Sequence, residues 1–74
     1  MISGKDLYFL EMFDKATPIK QLISENNTTI VYKKIKQFQA EGLIVKKRGK
    51  PTRYDTTEKG AILMLTLQRV RGLL

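Results

Sequence analysis

The apolar residues of this chain change their spacing once, at Gly42, and this change limits the fold more than any other feature. Before Gly42 they recur three and four residues apart, as in Val31, Ile35 and Phe38, which is the spacing of one helix face. After Gly42 the run from Leu43 to Val45 is continuous and rich in β-branched side chains, which is typical of a strand. A glycine directly after the last periodic residue is a common end of a helix. The chain is therefore predicted to be α+β, with helices first and a hairpin after them.

Two helices are predicted before residue 26. The first begins near Ser3, a capping residue with Asp6 three positions on, and ends at about Lys15. Its apolar positions are so many that other elements must cover most of its surface, so it is expected to be the central core helix. The second begins at Thr17-Pro18, where Thr17 caps and Pro18 takes the first helical position, and it ends near Glu25 after about two turns.

A third helix, a hairpin and a fourth helix are predicted in the remaining residues. Thr28 or Thr29 is expected to cap the third helix, residues 28–41, after the turn pair Asn26-Asn27. Strands 43–47 and 53–57 then flank a cationic loop that contains glycine and proline, which are turn residues. Thr57 starts a fourth helix over about 58–73. With 74 residues in all, the chain is expected to form a single domain, 1–74.

The residue types that are missing exclude most enzymatic chemistry. The chain has no cysteine and no histidine, so thiolate and imidazole metal ligands and the commonest general base are absent. We therefore expect no enzymatic activity, no metal and no cofactor. Without a disulfide framework the composition suits a reducing compartment, and a cytoplasmic location is expected.

The charge of the chain indicates a polyanionic partner. Fourteen Lys and Arg residues against seven Asp and Glu residues leave a net charge of +7, which attracts nucleic acid or an anionic membrane face. The longest apolar run, Ala61 to Leu65, is far shorter than the about 20 residues that a bilayer requires. Acids at Asp6, Glu11 and Asp14 also interrupt any signal-peptide core. We expect a nucleic-acid partner and no association with membranes.

Two short segments carry a resemblance to a known family. They are Glu41-Gly42-Leu43-Ile44 and, about a dozen residues later, the segment from Tyr54 to Gly60 with the sequence YDTTEKG. Together with the order of the helices they resemble the winged helix-turn-helix family, most of all small MarR-, PadR- or ArsR-type regulators. The resemblance implies a three-helix core with a two-stranded β-hairpin wing and a C-terminal helix. It also implies a sequence-specific, nucleoid-associated transcriptional regulator that holds helix 28–41 in the major groove of double-stranded DNA and wing 46–53 on the backbone or minor groove.

The third helix offers donors and acceptors to DNA. We expect Lys33 and Lys36 near phosphates, with Lys34 in the same basic group, and Thr29, Tyr32 and Gln37 as candidates for contacts with base edges. Thr28 is a further candidate DNA-binding residue. The ordinary alternative is a solvated helix face.

The wing is the stronger electrostatic signal. Its candidate DNA-binding residues are Lys46, Arg48, Lys50, Thr52 and Arg53. Side chains alternate along a strand, so Lys46 and Arg48 are expected on one face and Lys47 on the other. The ordinary alternative is a loop whose lysines protect a sheet edge and improve solubility.

The fourth helix has more apolar residues than one small domain needs. Leu63, Leu67, Val70 and Leu74 are predicted to close the core, whereas Ile62, Leu65 and Leu73 are predicted to contact a second subunit in a homodimer. The alternative is that one chain buries them all. Two other functions also remain open: a winged-helix module that binds another protein in a larger assembly, and an architectural protein that binds DNA without sequence preference.

Overall fold

The computed structural model describes residues 4–73, which form four helices and one two-stranded antiparallel sheet. The elements are α1 (Gly4–Asp14), α2 (Ile19–Glu25), α3 (Thr28–Ala40), β1 (Ile44–Lys46), β2 (Tyr54–Thr56) and α4 (Glu58–Leu73). This confirms the predicted α+β class and the order of the elements. The predicted cap at Ser3 lies outside the described residues.

α1 is the central helix of the core, as predicted. Four of its apolar side chains are buried: Leu7, Phe9, Leu10 and Phe13. The Phe13 ring meets Phe38 of α3 and Tyr54 of β2 edge to face, with ring centroids 6.1 and 6.2 Å away. One aromatic residue thus joins α1, α3 and the sheet, and such edge-to-face pairs are favourable beyond the area that they bury.

The two predicted helix caps in the middle of the chain are wrong. Pro18 occupies the cap position of α2 rather than its first turn, and Thr17 is buried and makes no cap hydrogen bond. α3 is capped by Asn27, not by Thr28 or Thr29: the Asn27 side-chain oxygen accepts hydrogen bonds from the backbone N–H groups of Thr29 (2.9 Å) and Ile30 (3.3 Å).

The end of α3 follows the prediction. Gly42 has φ 72°, a left-handed conformation that costs glycine little. The backbone N–H groups of Gly42 and Leu43 donate to the carbonyls of Gln39 (3.0 Å) and Phe38 (2.8 Å), which closes the last turn.

The hairpin is tied to the helices at its base. β1 pairs with β2 in the register Ile44↔Thr56, Val45↔Asp55 and Lys46↔Tyr54. One residue beyond this ladder Pro18 forms an isolated bridge with Arg53, and two residues beyond it the Ile19 N–H donates to the Thr52 carbonyl (3.0 Å). The start of α2 therefore fixes where the hairpin loop, residues 47–53, leaves the domain.

α4 is anchored where it begins. The Thr57 hydroxyl donates to the Gly42 carbonyl (2.6 Å), and the Thr57 N–H donates to the Leu43 carbonyl (2.9 Å). Gly60 packs directly on the Leu43 backbone, and a Cβ added there would collide with the Leu43 carbonyl oxygen. The two segments that carry the family resemblance therefore contact each other.

The outer half of α4 differs from the prediction. Met64 is its buried apolar side chain, Leu63 and Leu67 are half-buried, and Val70 is 50% exposed instead of closing the core. Near residue 70 the side chains of α4 that meet α1 are polar, from Gln68 and Arg71 to Glu11, and they leave Val70 uncovered. Leu74, also predicted in the core, lies outside the described residues. None of the four helices within residues 4–73 is long and apolar enough to span a bilayer.

Candidate nucleic-acid interface

α3 presents a broad exposed face. Its buried stripe is Val31, Ile35 and Phe38, so the helical repeat of 3.6 residues turns the remaining positions outward. All six α3 residues predicted to contact DNA are exposed: Thr28, Thr29, Tyr32, Lys33, Lys36 and Gln37.

Lys34 does not belong to this face. Its ammonium forms an ion pair with the Asp6 carboxylate of α1 at 2.5 Å, and the two side chains are only 20% and 8% exposed. The sequence analysis grouped Lys34 with Lys33 and Lys36, and for Lys34 this is wrong. The pair joins α1 to α3, so this lysine positions the helix in the domain and is not available to a ligand.

A groove separates α3 from the hairpin. It has a volume of about 480 Å³, and its lining combines two cations with aromatic and aliphatic side chains: Ile19, Lys20, Ile23, Tyr32, Lys46, Pro51, Thr52 and Tyr54. Three predicted site residues from separate parts of the sequence, Tyr32, Lys46 and Thr52, thus line one surface. Lys36 lies one helical turn beyond Tyr32, so the α3 face continues from the edge of this groove.

Gln37 lies on another side of α3. It lines a small cavity of about 120 Å³ together with Asp6 and Glu41, and its amide donates to the Glu41 carboxylate at 3.5 Å. The structure does not bring Gln37 to the groove beside the hairpin.

The hairpin loop carries its cations around a second hollow of about 400 Å³. This hollow is lined by Lys46, Lys47, Arg48, Gly49, Lys50 and Thr52. Lys47 is partly neutralised, because its ammonium lies 3.7 Å from the Asp55 carboxylate. Arg53 is half-buried at the base of the loop, beside its bridge to Pro18. The residues between Lys47 and Arg53 are all exposed.

Most cations of this surface have no acidic partner. Between residues 4 and 73 no ion pair involves any of the following side chains: Lys20, Lys33, Lys36, Lys46, Arg48, Lys50 and Arg53. Like charges this close repel each other unless an anion neutralises them. The arrangement is suited to binding a polyanion along α3, the groove and the loop.

The backbone N–H groups of α3 contribute little to anion binding. Asn27 already occupies the N–H groups of Thr29 and Ile30, which a phosphate would otherwise use at a helix N-terminus. An anion on this face must therefore be held by side chains.

Lys20 is the site residue that the sequence analysis missed. It lies in the first turn of α2 and lines the same groove as Tyr32 and Lys46. Its neighbours Ile19 and Leu22 are buried, so the helical pattern of α2 already indicated that Lys20 points outward. Only the tertiary structure shows that Lys20 lies on the side of α2 that faces the hairpin.

Among the described residues, no group of three or more Asp, Glu, Cys or His side chains is placed to hold a metal ion. The comparisons with known proteins give no match: no family model, no curated protein and no solved structure matches this chain. The fold itself, four helices and a two-stranded hairpin, is compatible with a winged helix.

Proposed function

We propose that this protein is a winged-helix protein that binds double-stranded DNA, with α3 in the major groove and the hairpin loop on the adjacent backbone or minor groove. The observation that carries the proposal is the continuous surface of cations without acidic partners on α3, the groove and the loop. A transcriptional regulator in the cytoplasm, at the nucleoid, is the role that best suits such a module.

The chemistry of the surface divides into two parts. Lysine and arginine side chains around the loop supply phosphate contacts, which fix position and carry most of the affinity. The exposed Thr29, Tyr32 and Lys36 lie on the helix that fits a major groove, where base edges are distinguishable. Affinity is thus assigned mainly to the hairpin loop and discrimination mainly to α3.

The groove explains how both parts act on one duplex. Lys20 of α2 and Lys46 of β1 line the same groove as Tyr32 of α3. One strand of the sugar-phosphate backbone passing along the groove would meet both ammonium groups while α3 occupies the adjoining major groove. The apolar lining, which includes Ile23 and Tyr54, then packs against deoxyribose.

The dependence of affinity on salt tests this proposal. A mixed-sequence duplex is titrated with the protein at several salt concentrations, and binding is followed by fluorescence anisotropy. If about six phosphates are neutralised per subunit, the log–log plot of the association constant against salt has a slope near −5. A flat plot would rule out the proposal.

Charge reversal locates the binding surface. Arg48→Glu together with Lys50→Glu is expected to lower duplex affinity about 100-fold at low salt, because two phosphate contacts become repulsive. The matched control, Lys5→Glu together with Lys15→Glu, makes the same charge change at the two ends of α1 and is expected to cost much less. Equal losses in the two variants would mean that net charge alone attracts DNA.

Selection of duplexes from a random pool separates the proposed regulator from an architectural protein. Enrichment of one sequence, and its tighter binding than the unselected pool at fixed salt, supports a regulator. Equal binding supports a protein that contacts only the backbone. A module that binds other proteins predicts no salt-dependent duplex binding at all.

A further inference from the structure

The outward stripe of α4 has a charge pattern that complements itself. Glu58, Ile62, Leu65 and Arg69 follow one another at intervals of four, three and four residues, so they share one face of the helix. All four are exposed, and Ile62 and Leu65 are each 59% exposed. The stripe therefore has an acid at one end, a base at the other and two large apolar side chains between them.

The rest of the domain does not use this stripe. α4 packs on α1 through its opposite side, where Met64 is buried and the Gln68 amide donates to Glu11 at 3.2 Å. Within residues 4–73 neither Glu58 nor Arg69 forms an ion pair. By contrast Arg71, two residues on, lies 3.9 Å from Glu11. A partner for the stripe must therefore come from another molecule.

We infer that the stripe binds a second copy of the chain, with the two α4 helices antiparallel. The midpoint between Glu58 and Arg69 coincides with the midpoint between Ile62 and Leu65. A two-fold axis through that midpoint places Glu58 opposite Arg69 of the second copy and Ile62 opposite Leu65 of the second copy, and each pair occurs twice. A parallel arrangement would instead oppose Glu58 to Glu58 and Arg69 to Arg69.

The pairing leaves the DNA-binding surface open. The stripe and the groove beside α3 share no residue, because none of Glu58, Ile62, Leu65 and Arg69 lines that groove. Two copies joined through α4 are therefore expected to keep both α3 helices accessible. The inference does not depend on DNA binding, since the charge pattern and the apolar exposure belong to α4 alone.

Sedimentation equilibrium in the absence of DNA tests the inference, with the full chain and its variants compared over a concentration series. Wild type is expected to dimerise reversibly. Glu58→Arg and Arg69→Glu each oppose like charges twice per dimer and are expected to raise the dimer dissociation constant at least tenfold. The control Lys15→Glu, directly after α1, is expected to leave it unchanged.

Two further samples make the result specific to the antiparallel arrangement. The exchanged variant E58R/R69E restores both opposite-charge pairs and is expected to dimerise like wild type. An equimolar mixture of E58R and R69E is expected to form a heterodimer, because every pair across its interface is then complementary. Circular dichroism verifies that each variant is folded, and R69E gives an independent answer if E58R is not.

Three results would overturn the inference. One is a wild-type protein that stays monomeric at every concentration. Another is a dimer whose dissociation constant the single reversals leave unchanged. The third is an exchanged variant that dimerises as weakly as the single reversals, which is expected for a partner or a geometry other than the one proposed.

Discussion

The two ends of the hairpin differ in almost every respect. At the helix end, Thr57 hydrogen-bonds the carbonyls of Gly42 and Leu43, and Gly60 packs on the same backbone. At the loop end, residues 47–53 are mostly exposed, and Arg48 and Lys50 have no acidic partner within the described residues. The first end holds the domain together, whereas the second is available to a ligand.

This difference shows which part of the molecule the family resemblance describes. Its two segments, residues 41–44 and 54–60, lie at the anchored end, where they satisfy each other's backbone groups. They therefore predict how the chain folds, and Tyr54 is the one side chain in them that is proposed to contact DNA. The residues that bear on function lie in the loop and on α3 instead.

The largest effect on stability is expected at the anchored end. Gly60→Ala places a methyl group against the Leu43 carbonyl and forces α4 to move, which we expect to lower the free energy of unfolding by about 3 kcal/mol. Gly72→Ala is the control on the same helix, since an added Cβ there meets nothing within 4 Å. It is expected to be neutral or to stabilise by up to about 1 kcal/mol. Urea unfolding measures both, and equal stabilities would mean that α4 does not pack here as described.

Two neighbouring lysines test the division between residues that hold the domain together and residues that bind a ligand. Lys34→Met removes the ion pair with Asp6 that joins α1 to α3, and we expect the free energy of unfolding to fall by about 2 kcal/mol with little change in duplex affinity. Lys33→Met is expected to do the reverse, weakening DNA binding several-fold while stability stays within about 0.5 kcal/mol of wild type. Denaturant unfolding and anisotropy on the same samples give both quantities. If the two variants behaved alike, the division between a positioning lysine and a binding lysine would be wrong.

A smaller effect is expected at the groove. Tyr32 is 52% exposed and lines the groove beside Lys46, so Tyr32→Ala is expected to lower affinity for a selected duplex about tenfold, or ~1.4 kcal/mol. Gln39→Ala, at another exposed position of α3, is the control and is expected to have no effect. Titrations with selected and unselected duplexes show whether Tyr32 contributes to discrimination. An equal loss with both duplexes would assign Tyr32 to backbone contact.

Much of the fold could be predicted because the residues that mark the ends of its elements act locally. Pro18 and Gly42 mark boundaries by their own backbone preferences, and the helices, the hairpin and their order follow from them. The caps could not be assigned with the same success, since Asn27, Thr28 and Thr29 are all good capping residues in a row. Only the backbone geometry selects Asn27.

The candidate site was predicted less completely, for reasons of distance along the chain. The charge of the loop is visible in the sequence, but Asp6 and Lys34 are 28 residues apart and nothing local indicates that they pair. Lys20, Tyr32 and Lys46 meet in one groove although they belong to three elements. Such contacts between elements depend on how the elements pack. The spacing of apolar residues within one element does not indicate them.

The most direct test of the proposed DNA-binding surface is an NMR titration of the ¹⁵N-labelled protein with a mixed-sequence duplex at low salt. We predict that amide shifts change at Tyr32, Lys36, Lys46, residues 48–50 and Thr52, that they reverse as salt is added, and that the outward stripe of α4 is unaffected. Changes confined to α4, or spread evenly over the surface without regard to α3 and the hairpin loop, would contradict it.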